Sequence, residues 1–481
     1  MFGEKLITLL LGFDKYTLNR LRKFLLSPFF NEQQDVVNLF EHLNAVIRRG
    51  ESALQRLGTE DVWAVVYPGV PFDEMQLRRL TSELTQLTLR FLAVQHWLAG
   101  PYAEELTLQP LLNRPETAKH LAGVERRLER ILEERKHRMS ATDYQSAYIM
   151  YWNMFSQNTG VLSTTGYAGR LVPADYALDC LYAIQKLKFY VAWLLYRHFR
   201  TAPDQLPVMD GFWAFVSDPR FDKETLLVLY RQGAEALEHF GDETYYRTFV
   251  DHLQRHNKEL DPGDLRELYQ LAQNYCAMKI NQGQTAYYQE VFHLYQILIS
   301  TDLLLADGQL SEGLYKNIIT AGLRVGEYAW AEQFIQSYAE KLPANIRENA
   351  RTFNLANLYS HQKRHDKVIE LLRNVEYSDV VYALSAKLIL VRTYYESDEW
   401  NALDSLIDSF RIYLQRNKLI SKSLKSQYSQ FLRFVRRLIS LRPGDAAGRE
   451  LLHRQIAGCE HLMSKQWLLE KTKENHAGQM H

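Results

Sequence analysis

The spacing of apolar residues is the feature that most constrains how this chain folds. Apolar residues recur at three- and four-residue steps along almost its whole length. In the segment LTSELTQLTLRFLAVQHWL, one such stripe contains Leu80, Leu84, Leu87, Phe91, Val94 and Leu98. This spacing places the side chains on one face of an α-helix, whereas the alternation that is typical of strands is nearly absent. Proline and glycine mark helix ends, as at Tyr67-Pro68-Gly69 and Asp261-Pro262-Gly263. We therefore predict an all-α chain of roughly twenty helices.

Length and composition limit the class of protein. The chain has 481 residues, enough for about three domains or one long repeat array. Lys plus Arg and Asp plus Glu number 57 each, so no net charge attracts polyanions. The three cysteines match no metal or redox spacing, which favours a reducing compartment. No stretch approaches the ~18 apolar residues that span a bilayer, and the apolar run Leu6–Leu11 is typical of a buried helix more than of a signal peptide. We predict a cytoplasmic protein.

One segment has the composition of a linker. Residues 158–173, NTGVLSTTGYAGRLVP, contain three glycines and four Ser or Thr residues without helical periodicity. A phosphate-binding loop is the alternative, but no Gly-Lys-Ser/Thr follows these glycines. The predicted regions are irregular helical repeats (1–157), the linker (158–173), middle helical hairpins (174–260), regular repeats (261–411), and a basic helix, a C-terminal capping helix and a short tail (412–481).

A repeated pattern occupies the regular part of the chain. Three segments follow it: Tyr315–Pro343, Thr352–Val375 and Lys387–Phe410. Each contains a helical pattern, a tight turn, an aromatic residue or histidine, and a second helical pattern. The residues after the turns are Tyr328, His365 and Trp400, so the spacing is 37 and then 35 residues. One hairpin of this size cannot bury its own apolar face, and several must therefore stack.

These segments resemble the tetratricopeptide repeat at its marker positions. The matching residues are Gly326, Tyr328, Ala331 and Pro343 in the first segment, Leu355, Ala356 and Tyr359 in the second, and Leu390, Tyr394, Trp400 and Phe410 in the third. Gly322 and Val391 depart from the pattern, because a large and a small residue are usual at these positions. The resemblance covers about residues 311–411. It implies an α-solenoid, a right-handed superhelix of antiparallel helix pairs that becomes less regular toward the N-terminus.

A wider resemblance extends over nearly the whole chain. The segments LRKFLLSPFFNEQQDVVNLFEHL, LDCLYAIQKLKFYVAWLL, YYESDEWNALDSLIDSFRIYLQRNKLIS and KQWLLEK occur in this order. Together they resemble a family of long bacterial helical-repeat proteins. This resemblance implies the same architecture and no particular activity.

The tetratricopeptide resemblance also implies a concave surface that binds extended peptides. One mode in that family clamps a C-terminal carboxylate. Lys316 and Asn354 fall on two of the clamp positions, but Thr320, Ser385 and Ile389 occupy others and cannot supply the charge. We therefore predict no such clamp. Mixed aromatic and polar side chains remain as groove candidates: Lys316, Arg324, Phe353, Asn357, Arg392 and Tyr395. Any solenoid carries residues of this kind, so a purely structural role is the alternative.

Catalytic and metal-binding patterns are incomplete. His252 and His256 are four residues apart, as are His361 and His365, and each pair is expected to lie on one helix. A zinc site needs three or four ligands, and neither pair has a clear third. No Gly-x-Ser-x-Gly motif occurs. We predict no catalytic residue, no cofactor and no metal site.

The strongest local charge lies near the C-terminus. The segment SKSLKSQYSQFLRFVRRL (421–438) contains five cations and no acid. On a helix, its apolar residues form a stripe that must pack on the last repeat. The opposite face carries the cations, which are Lys422, Lys425, Arg433, Arg436 and Arg437. Residues 411–442 together contain nine cations and no acid, whereas residues 366–410 contain nine acids and four cations. The two regions could therefore neutralise each other.

Three interpretations of this basic face stay open. It is a solvated face partly balanced by the acidic repeat, or it binds an acidic protein or a second copy, or it binds nucleic acid through phosphates. Tyr428 and Phe431 fall in the apolar stripe instead of among the cations, which disfavours base stacking. We predict a non-catalytic helical-repeat scaffold that mediates protein–protein interaction, with an unknown partner and oligomeric state and no membrane attachment. The alternative is a nucleic-acid-associated protein that uses residues 411–442.

Overall fold

The computed structural model describes residues 3–50, 53–54, 56–156, 168–199, 209–305, 308–373, 380–442, 444–459 and 462–474. These residues form 23 α-helices and four short 3₁₀ turns, and no β-strand occurs among them. The prediction of an all-α fold is confirmed. Helices end where proline and glycine mark an end, as at Val66 before Tyr67-Pro68-Gly69, and Pro262 begins a helix.

The helices in chain order are α1 (Glu4–Leu11), α2 (Lys15–Leu25), α3 (Gln34–Arg49), α4 (Thr59–Val66), α5 (Glu74–Ala99), α6 (Ala103–Leu111), α7 (Ala118–Arg135), α8 (Ala141–Ser156), α9 (Ala168–Phe199), α10 (Phe212–Val216), α11 (Thr225–Glu238), α12 (Glu243–Arg255), α13 (Pro262–Asn281), α14 (Tyr287–Ser300), α15 (Glu312–Arg324), α16 (Tyr328–Tyr338), α17 (Ala344–His361), α18 (His365–Leu372), α19 (Val380–Glu396), α20 (Trp400–Arg416), α21 (Lys422–Ser440), α22 (Ala446–Ala457) and α23 (Lys465–Lys473). None of the helices described here combines the length and the apolar character that a membrane-spanning segment needs.

The chain divides into two compact units. The first contains Met1–Tyr190, Val208–Tyr230 and Lys258–Asp261, and the second contains Val191–Pro207, Arg231–Asn257 and Pro262–His481. In the first unit, α3 packs against α1, α2, α4 and α5. Its core includes Leu39, Phe40 and Leu43 from one face of α3, all fully buried. Apolar side chains that are spaced three and four residues apart in the sequence thus pack into one continuous core.

The linker predicted for residues 158–173 falls only partly within the described chain. Residues 158–167 lie outside it. Helix α9 begins at Ala168, so the last six positions of the predicted linker are helical, including Pro173 in the second turn of the helix. Pro173 is the sixth residue of α9, beyond the first four amide groups that have no partner within the helix, so it removes one backbone hydrogen bond there. The other predicted region boundaries stay predictions.

The second unit is a series of helical hairpins. Every helix from α12 to α23 packs against the next one in the sequence. In addition, α15 packs against α17 and α17 against α19, so the first helices of three successive hairpins lie side by side. This is the packing of an α-solenoid, in which each repeat buries its apolar face against its neighbours.

The turns of these three hairpins share one backbone geometry. Gly326, Lys363 and Asp398 have φ values of 86°, 56° and 57°, in the left-handed region. In each turn the following amide donates a hydrogen bond to a carbonyl five residues earlier, at 2.9 Å. The second helix then begins two residues after the left-handed residue, at Tyr328, His365 and Trp400. The repeat pattern found in the sequence therefore corresponds to a repeated helix-ending turn.

Substitutions at these turns are expected to change stability through the backbone alone. Lys363→Gly should raise the free energy of unfolding by about 0.5–1 kcal/mol, because glycine adopts positive φ without a Cβ clash. Gly326→Ala should lower it by about 1–2 kcal/mol, since no atom lies within 4 Å of the added Cβ and only the conformational cost remains. Urea denaturation followed by circular dichroism measures both changes. A stability gain for Lys363→Ala equal to that for Lys363→Gly would contradict this explanation.

Candidate interaction surfaces

The predicted groove residues lie on the three first helices that pack side by side. Lys316 and Arg324 belong to α15, Phe353 and Asn357 to α17, and Arg392 and Tyr395 to α19. Helix α17 contacts both of the others, which brings the six positions onto neighbouring helices. Their accessibility differs, and this divides them into two sets.

Two of the six groove candidates belong to the core. Phe353 is 3% exposed and packs edge-on against Tyr382, with ring centroids 4.9 Å apart. Tyr395 is 4% exposed and lies edge-on to Trp400 and Trp467 at 5.7 and 5.3 Å. Neither ring is accessible to a partner, so their assignment as contact residues is corrected. Trp467 comes from α23, which covers this part of α19.

The three cationic groove candidates form no ion pair with an acidic side chain of the described chain. The side chains of Lys316, Arg324 and Arg392 form no hydrogen bond or ion pair with any residue that the structure describes. Each lies over an aromatic ring instead, at 5.9 Å from Phe353, 5.6 Å from Tyr288 and 5.7 Å from Trp467, respectively. Cation–π contact stabilises such a charge only modestly. Asn357 is half-buried and likewise makes no described hydrogen bond. We refer to Lys316, Arg324, Asn357 and Arg392 as the groove set.

Arg392 is the most desolvated cation of the groove set. Burial lowers the pKa of its guanidinium, and the charge of Arg324 lowers it further, while Glu396 and Glu470 oppose this effect. Its Nε is fully buried without a hydrogen-bond partner. A buried donor that lacks an acceptor costs free energy, which an anionic ligand would recover.

His361 joins this surface and was not predicted from the sequence. It ends α17 at the repeat position that Arg324 holds in α15, four residues before the helix that follows the turn. Aligning the repeats at Tyr328 and His365 would have identified it. Burial lowers the pKa of its imidazole to about 4, and the charges of Arg324 and Arg392 contribute. His361 is therefore neutral at neutral pH.

We expect an NMR titration of the His361 ring to give a pKa near 4. Because this pKa lies below the value of about 6.5 in the unfolded chain, the unfolded state binds the proton first. The stabilising contribution is therefore present above pH 6.5 and is lost as the pH falls toward 4. His361→Gln should remove this part of the pH dependence of unfolding. A ring that titrates between pH 6 and 7 would contradict the buried, cation-flanked environment.

The carboxylate-clamp positions are not arranged to bind a carboxylate. Asn354 is fully buried, and its Nδ2 donates to the carbonyl of Ala350 at 2.8 Å. Ile389 is apolar and 8% exposed, and the Thr320 hydroxyl donates to the carbonyl of Lys316. Among the clamp positions, only Lys316 offers an available charge.

The basic helix has the two faces that its sequence predicts. Helix α21 runs from Lys422 to Ser440, and the Ser421 hydroxyl caps it by accepting from the amide of Leu424. The apolar stripe is buried, including Tyr428, Phe431 and Leu432. No aromatic ring of this stripe is therefore available to stack on a base.

The five predicted cations of this face are not equally free. Lys422 and Arg433 are exposed, and Lys425, Arg436 and Arg437 are half-buried. Arg436 forms an ion pair with Asp408 of α20, and Arg437 donates to the side-chain oxygen of Gln455. The acidic repeat thus neutralises one cation across the α20–α21 turn, as the sequence allowed.

A cleft of about 1100 Å³ opens between α20 and α21. Asp404, Asp408, Arg436 and Arg437 line one end. Hydrogen-bond donors line the other end, and these are Arg411, Gln415, Ser426, Ser429, Gln430 and Arg433. Only Arg433 in this second set was predicted as a contact residue. The others were missed because the cleft depends on how the two helices pair, which the pattern of one helix does not specify.

The histidine and cysteine positions show no assembled metal set. His361 and His365 lie on different helices, α17 and α18, so the prediction that they share one helix is wrong. The His252 and His256 rings are 4.6 Å apart, and His252 Nδ1 lies 2.9 Å from the Gln232 side-chain oxygen. In the described part of the chain, no group of three or more His, Cys, Asp or Glu side chains is placed to hold a metal ion.

The cysteine thiols are reduced, and two of them are inert. Cys180 and Cys276 are buried, and burial raises the pKa of each thiol to about 12. Cys276 Sγ lies 3.2 Å from the hydroxyl of Tyr246. A thiol with so high a pKa is not the thiolate that nucleophilic chemistry requires.

Comparison with protein-family models, with curated proteins and with solved structures finds no match to this chain.

Proposed function

We propose that this protein is a non-catalytic helical-repeat scaffold that binds a partner protein in the cytoplasm. The observation that carries the proposal is the groove set, whose three cations lie on neighbouring first helices without acidic partners. A desolvated cation such as Arg392 is usually paired within a folded chain when it serves only stability. The resemblance of residues 311–411 to tetratricopeptide repeats supports the same function.

The composition of this surface favours a protein ligand. Arg324 is exposed at its rim, Lys316 is half-buried, and Arg392 is half-buried beside the indole of Trp467. Arginine and aromatic side chains at a partly desolvated centre are typical of protein–protein contacts. We therefore propose that the partner presents acidic side chains to α15 and α19.

Two charge reversals in the groove set test this proposal. Neither Lys316→Glu nor Arg324→Glu leaves an acid without its partner, because neither cation is paired. Lys15→Glu with Lys23→Glu is the matched control, since both lysines are exposed in α2. After cross-linking and affinity purification from extract, we expect a stoichiometric protein with the wild type and with the control. The groove variant should recover at least roughly tenfold less of this partner protein. Equal recovery by both variants would overturn the proposal.

Association with nucleic acid through residues 411–442 is the alternative function. The exposed cations Lys422 and Arg433 support it, because phosphates are recognised by charge with little need for a shaped pocket. The burial of Tyr428 and Phe431 weakens it, since bases have no exposed ring on this face to stack upon. Retention of DNA or RNA at ~50 mM salt, lost on Arg433→Glu, would favour this alternative over the scaffold.

A further inference from the structure

The cleft between α20 and α21 has two electrostatically different ends. The helices are antiparallel, and the ion pair between Arg436 and Asp408 lies at the end that also contains Asp404. This end is largely neutralised. At the other end, Arg411 of α20 and Arg433 of α21 contribute two cations, while Asp408, three positions before Arg411, is already paired with Arg436. The sequence contains no acid between Asp408 and Asp445.

The donors at this end are available to a ligand. Arg411 and Arg433 are exposed, and neither forms an ion pair with any described residue. The Ser426 and Ser429 hydroxyls also make no described hydrogen bond. Leu432, which is 1% exposed, forms part of the lining, so the donors surround an apolar floor. We call Arg411, Arg433, Ser426 and Ser429 the donor site.

Two exposed apolar side chains lie close to the donor site in the sequence. Leu419, in the loop that joins α20 to α21, is 85% exposed, and Ile412 of α20, the residue after Arg411, is 48% exposed. A nucleic-acid strand gains little from such contacts, and the aspartates at the far end of the cleft would repel a continuous phosphate backbone. A polypeptide can place carboxylates on the arginines and an apolar side chain on the Leu432 floor of the cleft.

We propose that the donor site binds an acidic segment of a partner protein, with a carboxylate between Arg411 and Arg433. Guanidinium groups match carboxylates through paired N–H donors, which makes such contacts stronger than those between neutral groups. The inference rests on the proposed scaffold function and gives that function a second surface, distinct from the groove set. Because Asp408 already neutralises Arg436 at the opposite end of the cleft, only a short acidic segment can be bound.

The test uses the full chain and a labelled peptide in which glutamate pairs alternate with leucine and glycine. A peptide with glutamine in place of glutamate is its control. Fluorescence anisotropy should show binding of the glutamate peptide and at least about tenfold weaker binding of the glutamine peptide. Arg411→Gln with Arg433→Gln should weaken binding of the glutamate peptide to the same extent. Circular dichroism checks that the variant folds, which we expect because neither arginine has a described acidic partner to lose.

A matched variant distinguishes binding at the donor site from general electrostatic attraction to the basic stretch. Arg416→Gln with Lys418→Gln removes the same charge from the same basic stretch, but both side chains are exposed outside the cleft lining. This variant should keep peptide binding within about twofold of the wild type, since screened charges contribute little. Equal losses in the two double variants would overturn the proposal. It would also be overturned if an oligothymidylate bound more tightly than the peptide and lost its binding in the arginine variant.

Failure of this inference can be distinguished from failure of the proposed function. The groove variant Lys316→Glu with Arg324→Glu leaves the donor site intact and should bind the glutamate peptide normally. If the groove variant loses its cellular partner while the peptide never binds, only the donor site is refuted. If the peptide binds as predicted but no cellular partner depends on the groove set, the groove assignment is the part that fails.

Discussion

Replacing Asp143 by Ala is expected to lower the free energy of unfolding of the first unit by about 3–5 kcal/mol. The Asp143 side chain is 1% exposed and lies in the first turn of α8. It accepts hydrogen bonds from Arg135 at 2.5 and 3.0 Å and from the Tyr102 hydroxyl at 2.7 Å. The amide and hydroxyl of Ser140 donate to the same carboxylate at 2.7 and 2.6 Å. Removing this acceptor takes it from the Tyr102 and Ser140 donors and leaves the partly buried Arg135 guanidinium only its contact with Asp261 at 3.4 Å.

The Asp143 carboxylate also makes the free energy of unfolding depend on pH in the acidic range. Burial would raise the pKa of Asp143, but the hydrogen bonds from Arg135, Ser140 and Tyr102 outweigh it and lower the pKa. The stabilising contribution is therefore present above the unfolded value of about 3.9 and is lost as the pH falls through the lower folded value. Asp143→Ala should flatten this part of the acid-unfolding curve.

Urea denaturation at neutral pH measures the loss, with Asp175→Ala as the control. Asp175 is exposed in α9, and its replacement should change the free energy of unfolding by less than about 0.5 kcal/mol. Asp143→Asn keeps the shape and one acceptor, so its cost should fall between the two. A loss for Asp143→Ala as small as that for Asp175→Ala would show that the network does not stabilise the fold.

Trp467→Ala should destabilise the second unit by about 3–5 kcal/mol and release α23. The Trp467 side chain is 5% exposed and contacts the rings of Tyr395 and Phe431, with centroids at 5.3 and 6.1 Å. Its Nε1 donates to Glu396 at 2.6 Å, and Lys471 lies 3.6 Å from the same carboxylate. Helix α23 has nine residues, too few to be stable without tertiary contacts.

A conservative variant and a hydrogen-exchange measurement separate the packing of the indole from its hydrogen bond. Trp467→Phe retains most of the packing but removes the indole donor, so its cost should be about 1–3 kcal/mol. Amide hydrogen exchange should show lost protection across 465–473 in Trp467→Ala and retained protection in Trp467→Phe. Unchanged exchange in Trp467→Ala would contradict the anchoring role of the indole.

The repeated hairpins are the part of the fold that the sequence predicts best. Tyr328, His365 and Trp400 each begin a second helix, because the same turn precedes each of them. Local spacing is sufficient here, since a hairpin of this kind is determined by neighbouring residues. The two faces of α21 follow from its sequence for the same reason.

Long-range contacts account for what the sequence does not predict. Tyr395 looks like a groove residue on its own helix, but Trp467, which is 72 positions later in the sequence, covers it. Lys279 is a second residue whose burial depends on a distant segment. It is 3% exposed, and its ammonium lies over the ring of Phe240 at 4.6 Å. Such partners come from distant segments, and helical periodicity contains no information about which of them meet.

The binding constant of the recovered partner is the most direct test of the central claim, that the first helices of the hairpins bind a protein. Calorimetry on the purified components should give one partner per chain for the wild type and for Lys15→Glu with Lys23→Glu. Lys316→Glu with Arg324→Glu should bind roughly tenfold more weakly, or not at all. Equal affinity for all three chains, or the absence of any stoichiometric partner, would contradict the account.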